Sequence, residues 1–218
     1  MTNYTLDVVT VNPLSNQKPK QAVILCHGYG GDGKDISALA INWQRFLPDA
    51  IFLSPNAPEI CSVNPQGYQW FDLSIEKNDV ILVKSLRAEK KLILFIDEVL
   101  NYFQLKPDKL ALVGFSQGSM ISIQVALKNK KQIKCVIAYS GKIINQKHLL
   151  ENINSKPNFF LMHGDKDPIV PSTHLLEAKE FFLNCQIKIK TKLFKNCEHR
   201  IPVEGSSLGL EFLRKNLL

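Results

Sequence analysis

Leu110-Ala-Leu-Val-Gly-Phe-Ser-Gln-Gly118 runs a short apolar segment straight into a Gly-x-Ser-x-Gly turn, and a helical pattern over residues 119–127 follows it. A serine at so abrupt a strand-to-helix turn is forced into a strained backbone geometry. Glycines two residues to either side keep side chains out of the neighbouring backbone. The hydroxyl of Ser116 is thereby presented above a sheet, the arrangement of a nucleophile elbow.

Outward from this turn, short apolar runs over residues 4–11, 22–26, 50–53, 110–113, 135–139, 159–162 and 186–193 read as strands. Apolar residues three and four apart predict helices over 36–46, 79–103, 119–127, 173–183 and 203–217. Strand and helix alternate, which predicts an α/β fold with a mainly parallel central sheet and helices on both faces. No repeat or linker divides the 218 residues, so residues 1–218 read as one domain. Functional residues of such sheets gather at the carboxyl ends of the strands. Here those ends are His27-Gly28, Gly114-Phe115-Ser116 and His163-Gly164-Asp165.

Composition narrows the function classes. With 45% hydrophobic and 22% charged residues the chain is an ordinary folded protein, neither disordered nor collagen-like. No stretch approaches the roughly 18 uninterrupted apolar residues of a membrane span. The first ten residues lack the basic start and apolar run of a secretory signal, so a cytoplasmic location is expected. Cys26, Cys61, Cys135, Cys185 and Cys197 are odd in number and widely spaced, which predicts reduced thiols rather than a disulfide framework or a zinc site. The net charge of +7 rests on 23 lysines and only four scattered arginines, a balance that argues against nucleic acid as a partner. The lysines of Lys188-Ile-Lys-Thr-Lys-Leu-Phe-Lys195 alternate with apolar residues, as on a protected edge strand.

A serine nucleophile needs a base to take its proton, and an imidazole base needs an acid to fix its tautomer. The chain order that accompanies such an elbow is serine, acid, histidine. After Ser116, His163-Gly-Asp-Lys-Asp-Pro168 and Asn196-Cys-Glu-His199 follow the next strands. Only His174 and His199 lie beyond the aspartate pair, and His174 sits early in a helical pattern, which leaves His199 as the base. Spacing alone leaves Asp165 and Asp167 both open. His27, His148, His163 and His174 are read as structural, with His27 and His163 buttressing strand-end loops. The glycine-rich His27-Gly-Tyr-Gly-Gly-Asp-Gly33 would pass close to Ser116, making the amides of Tyr29 and Gln117 the candidate donors of an oxyanion hole. The segment 54–73 carries Tyr68, Trp70 and Phe71 on a proline-stiffened backbone and is expected to wall an open acyl pocket, with these rings as substrate-binding residues. No other segment is long enough for a cap domain.

Two rivals are weighed against this. Gly28-Tyr-Gly-Gly-Asp-Gly-Lys-Asp35 satisfies the phosphate-loop pattern up to its last position, but Asp35 replaces the hydroxyl that would ligate magnesium, and Asp97 falls within a helical pattern rather than at a strand end. A metal site of His163, Asp165 and Asp167 has no further ligand to support it. No metal and no cofactor are expected.

The chain resembles the bacterial carboxylesterase and acyl-protein thioesterase family, the phospholipase/carboxylesterase group of α/β-hydrolases. The likeness rests on His27-Gly-Tyr-Gly-Gly31, Ser54-Pro-Asn-Ala-Pro58, Trp70-Phe-Asp72, Gly114-Phe-Ser-Gln-Gly118, Ala138-Tyr-Ser-Gly141 and His163-Gly-Asp-Lys-Asp-Pro-Ile-Val-Pro171. It implies a Ser116, Asp167 and His199 triad, selecting Asp167 over Asp165, and a serine hydrolase acting on carboxylic esters, with lysophospholipids and acyl thioesters as further classes. A small-molecule ester or acylated substrate is the implied partner. A homodimer is common in the family, and the sequence leaves the oligomeric state open. Three positions depart from the family pattern: Tyr29 for a common leucine, Ser119 for a usual glycine, and Glu198 before the histidine for a usual glycine. A catalytically silent hydrolase fold is the alternative, and an intact triad disfavours it.

Overall fold

The structure is a computed structural model that describes residues 4–74 and 77–218. In chain order its strands are β1 (Val8–Val11), β2 (Gln21–Cys26), β3 (Ala50–Pro55), the two-residue β4 (Glu59–Ile60) and β5 (Tyr68–Gln69), β6 (Leu110–Phe115), β7 (Cys135–Tyr139), β8 (Asn158–Gly164) and β9 (Ile189–Phe194). Seven form one sheet in the order β1-β3-β2-β6-β7-β8-β9, while β4 and β5 pair with each other. β1 runs antiparallel to β3, and every other pairing in the large sheet is parallel.

Successive side chains of a strand point to opposite faces, so a strand that is apolar without interruption must be covered on both sides. In β2, Ala22, Ile24 and Cys26 enter one apolar layer and Val23 and Leu25 the other. β6, β7 and β8 split their residues in the same way. The helices α1 (Gly33–Trp43), α2 (Asn78–Phe103), α3 (Gln117–Lys128), α4 (Gln146–Glu151), α5 (Thr173–Asn184) and α6 (Val203–Leu217) supply the covers. Ile36, Ala40 and Trp43 of α1 pack with Leu213 and Leu217 of α6 on one face. Residues of α2, α3 and α5, including Phe95, Ile121 and Phe182, fill the other. This is an α/β-hydrolase fold, and no large cap is present among the described residues.

The chain leaves β2 for β3 on one side and later enters β6 on the other, so the carboxyl ends of β2 and β6 border the point where the strand order reverses. The register sets Cys26 beside Gly114, which brings His27 next to the elbow.

Three expectations are corrected in detail. The first strand covers only residues 8–11, because Thr5 turns away to bond its amide to Glu98. The last strand begins at Ile189 rather than 186: Gln186 takes a left-handed φ of 56° and Ile187 donates back to the Phe182 carbonyl, ending α5 first. α1 starts at Gly33, where Asp32 accepts the Asp35 amide at 2.8 Å, a cap that contributes about 1 kcal/mol, and it tightens into a 3₁₀ turn over Gln44–Phe46. The short α4 was not foreseen. Asp97 lies within α2 and pairs with Lys131 at 2.9 Å, and no helix among the described residues is long and apolar enough to cross a membrane.

Candidate active site

Ser116 joins β6 to α3 with φ 53° and ψ −117°, a region that a side chain adopts only when its surroundings impose it. The Ser116 amide donates to the Tyr139 carbonyl at 2.8 Å. A Cβ on Gly118 would lie 2.0 Å from the Cys26 carbonyl oxygen, and one on Gly114 would lie 2.3 Å from the Gly118 oxygen. Both positions therefore demand glycine, and the turn they permit puts Ser116 at the mouth of the strand-end crevice.

His199 stands on the loop after β9, its ring tilted against Phe115 with centroids 4.9 Å apart. Its Nε2 is 2.9 Å from Ser116 Oγ and its Nδ1 is 2.7 Å from Asp167 Oδ2. A carboxylate can only accept, so Nδ1 carries the proton and Nε2 presents its lone pair to the serine hydroxyl. The other Asp167 oxygen, Oδ1, accepts the amides of Ile169 and Val170, each at 2.9 Å. Burial opposes the charge on this carboxylate. The Val170 amide, the His199 ring and the Ile169 amide outweigh it, and Asp167 titrates below its ordinary value.

The two aspartates left open by spacing occupy different places. Asp167 is buried beneath the imidazole, whereas Asp165 is exposed and accepts the Cys197 amide at 3.3 Å, tying the loop after β8 to the loop that carries His199. His163, buried, donates from Nε2 to the Val170 carbonyl at 2.8 Å, and its pKa is depressed chiefly by burial. His27 likewise is held neutral by burial: Nδ1 donates to the Gly28 carbonyl, and Nε2 accepts the Ala57 amide at 3.0 Å. Both histidines brace strand-end loops.

The amides of Tyr29 and Gln117 donate to no protein acceptor among the described residues. Gly33, by contrast, gives its amide to Asn56 Oδ1 at 2.9 Å, and Asp32 spends its carboxylate on the cap of α1. The second half of the loop that matches the phosphate-loop pattern is thus engaged in hydrogen bonds with Asn56 and with the first turn of α1. The departures from the family pattern are accommodated: Tyr29 reaches Ser62 Oγ at 2.8 Å, Ser119 Oγ lies 2.7 Å from the Gly114 carbonyl and 2.6 Å from that of Tyr139, and Glu198 is exposed.

The expectation for Trp70 and Phe71 needs correction. Trp70 and Phe71 are fully buried, and none of Tyr68, Trp70 and Phe71 lines the cleft beside His199. Trp70 gives its indole proton to the His27 carbonyl at 3.0 Å, and Tyr68 is half-buried against the core. The cleft, of about 420 Å³, is walled instead by Gly28 and Tyr29, by Ile36 and Leu39 of α1, by Phe115, and by Arg200 and Ile201. The spacing of Ile36 and Leu39, three apart directly after the glycine-rich loop, is the sequence signal that marks this face of α1.

The sequence model of the phospholipase/carboxylesterase family matches residues 9–217. The acyl-protein thioesterase 1 of Saccharomyces cerevisiae is 31% identical over 222 residues, covering 92% of this chain and 95% of that protein. The esterase YpfH of Escherichia coli is 26% identical, covering 92% and 85% respectively. Among solved structures, the esterase PE8 superposes with a TM-score of 0.93 at 34% identity, covering 97% of this chain and 99% of that one. The Bacillus cereus carboxylesterase, at 18% identity and a TM-score of 0.78 over 97% of this chain and 94% of its own, shares the fold.

Proposed function

The chain belongs to the phospholipase/carboxylesterase family of α/β-hydrolases and is an ester-hydrolysing serine hydrolase; from that premise we propose that Ser116 is its nucleophile, His199 its general base and Asp167 the partner of the imidazole. One observation carries the assignment. It is the unbroken chain of hydrogen bonds from Ser116 Oγ through both nitrogens of His199 to the buried Asp167.

As Ser116 Oγ attacks the ester carbonyl, His199 Nε2 takes its proton, and Asp167 stabilises the imidazolium without being protonated itself. The carbonyl oxygen becomes an oxyanion that faces the amides of Tyr29 and Gln117. Collapse of this intermediate breaks the acyl–oxygen bond, and His199 returns the proton to the departing alkoxide. An acyl group now sits on Ser116. Water then adds to it with His199 again as base, and a second collapse releases the carboxylic acid and restores the serine hydroxyl.

The cleft is apolar along Ile36, Leu39, Phe115 and Ile201 and open to solvent, which suits short to medium acyl chains. A thioester carbonyl or a lysophospholipid ester meets the same nucleophile by the same steps. The name of the yeast relative supports the thioester as an alternative leaving chemistry.

An active-site-directed fluorophosphonate tests the reading without knowledge of the natural substrate. The wild type labels and Ser116→Ala does not, and the variant loses on the order of 10⁴ to 10⁶ in kcat toward a p-nitrophenyl ester. Labelling of Ser116→Ala at the wild-type rate would remove the serine from its role.

A further inference from the structure

The two candidate oxyanion donors come from different strand ends, Tyr29 from the loop after β2 and Gln117 from the turn after β6. An oxyanion hole works only when both amides lie 2.7–3.1 Å from one point in space, so their relative placement is a matter of tertiary structure. Tyr29 sits in a tight turn closed by the Gly31 amide on the Gly28 carbonyl at 3.2 Å, so its amide moves with that turn. It stands between Gly28 and Gly30, and Gly30 has a φ of +77° that only glycine adopts freely.

A single extended segment crosses both halves. Tyr68 exchanges backbone hydrogen bonds with the glycine loop, its amide donating to the Gly31 carbonyl at 2.8 Å and its carbonyl accepting the Gly30 amide at 2.9 Å. Two residues on, the Trp70 indole Nε1 donates to the His27 carbonyl at 3.0 Å, while the Trp70 amide donates to Gln117 Oε1 at 2.8 Å. Gln117 completes the pair by donating from Nε2 to the Phe71 carbonyl at 2.6 Å. The Trp70 ring has no exposed surface and lies 5.8 Å from the His27 ring, whose Nε2 is itself held by the Ala57 amide.

We propose that Trp70 is a positioning residue that holds the Tyr29 and Gln117 amides in register for the transition state. The proposal rests on the reading of those two amides as the oxyanion hole. Trp70 bonds both donor-bearing segments, one through its side chain and the other through its backbone. Its buried ring leaves no alternative seat for the indole. Shifting either amide weakens an interaction that forms fully only when the carbonyl oxygen becomes charged, so the effect falls on kcat rather than on substrate binding.

Trp70→Phe keeps an aromatic ring and removes the indole N–H. The expected result is a fall in kcat of about tenfold or more with KM changed by no more than about twofold, smaller than the roughly 10² to 10³ that follows outright loss of one donor. The affinity of a trifluoromethyl ketone, which adds Ser116 Oγ to form a tetrahedral oxyanion, should fall by the same factor as kcat. The affinity of an unreactive amide with the same acyl chain should not change. Gln117→Met removes the other half of the clamp while leaving the Gln117 backbone amide in place, and it should show the same split even if Trp70→Phe does not fold. Lowered melting temperatures with unchanged kcat and unchanged ketone affinity would overturn the proposal and leave Trp70 as a packing residue. Failure of the wild type to form the ketone adduct would overturn the oxyanion-hole reading beneath it.

Discussion

Asp167 divides its two oxygens between the imidazole and the backbone: Oδ2 lies 2.7 Å from His199 Nδ1, and Oδ1 accepts the amides of Ile169 and Val170. The backbone bonds fix the carboxylate before any substrate arrives, so its orientation does not depend on the histidine. An Asn at this position would keep the size and could offer its amide nitrogen to the ring, reversing the tautomer and removing the lone pair that faces Ser116. Asp167→Asn is expected to lose on the order of 10⁴ in kcat. Asp165→Asn, altering an exposed group that bonds the Cys197 amide, should retain most of the activity. Steady-state hydrolysis of p-nitrophenyl acetate ranks the two variants, and the opposite ranking would reassign the acid.

His27 and His163 make folding sensitive to acid. Burial lowers both pKa values below the ordinary 6.5, so between that value and the lower folded one the unfolded chain binds more protons than the folded chain. Stability is therefore complete above about 6.5 and drains away as the pH falls beneath it. Asp167, whose folded pKa is also lowered but from 3.8, contributes stability that is present above 3.8 and lost only in a more acidic window. Melting temperatures from pH 8 to pH 5 should fall as the solution is acidified. His163→Gln, whose amide can still donate to the Val170 carbonyl, should show a shallower slope. An identical slope in the variant would show that His163 does not contribute to it.

The limits of the sequence follow from which interactions are local. The strands of the core and the helix over residues 203–217 were legible because periods of two and 3.6 record which side of an element is buried. The start of β9 was misread because the left-handed turn at Gln186 carries no glycine to mark it. Trp70 and Phe71 were assigned to substrate because an apolar ring on a stiff loop has the same composition whether it faces a ligand or the core. Their burial is decided by α3 and the end of β2, which are distant in sequence. Asp165 and Asp167 pose the same problem in miniature, since spacing alone leaves them equal and the fold separates the buried carboxylate from the exposed one. The cleft wall on α1 depends on how that helix packs on the sheet, so the spacing of Ile36 and Leu39 marks an apolar face without indicating that it borders the site.

Gly118 offers a steric test of the elbow. Any Cβ there would sit 2.0 Å from the Cys26 carbonyl oxygen and 2.5 Å from that of His27, both backbone atoms that cannot swing aside. Gly118→Ala must therefore push α3 away from β2 and carry Ser116 with it. The expected cost is about 3 kcal/mol or more, in the range of severe overpacking. Chemical denaturation would register it as a lower midpoint, together with loss of fluorophosphonate labelling in whatever protein remains folded. A variant with the wild-type midpoint and labelling would contradict the close approach of helix and strand.

Leu39 tests where the acyl chain lies. It is half-buried on α1, facing the cleft with Ile36, Phe115 and Ile201. Leu39→Trp should fill space needed by a longer chain while leaving room for an acetyl group beside the nucleophile. Apolar pockets discriminate by about 1–3 kcal/mol per methylene gained or lost, so kcat/KM for p-nitrophenyl octanoate should drop at least about tenfold relative to that for the acetate. Leu39→Ala should leave the acetate rate unchanged and shift the optimum toward longer chains. Because Leu39 is outside the deep core, neither change should greatly alter the melting temperature. If both variants keep the wild-type ratio across the ester series while Tyr68→Ala alters it, the acyl chain runs along the β4–β5 segment instead, and the α1 face of the cleft would then be left to the leaving group.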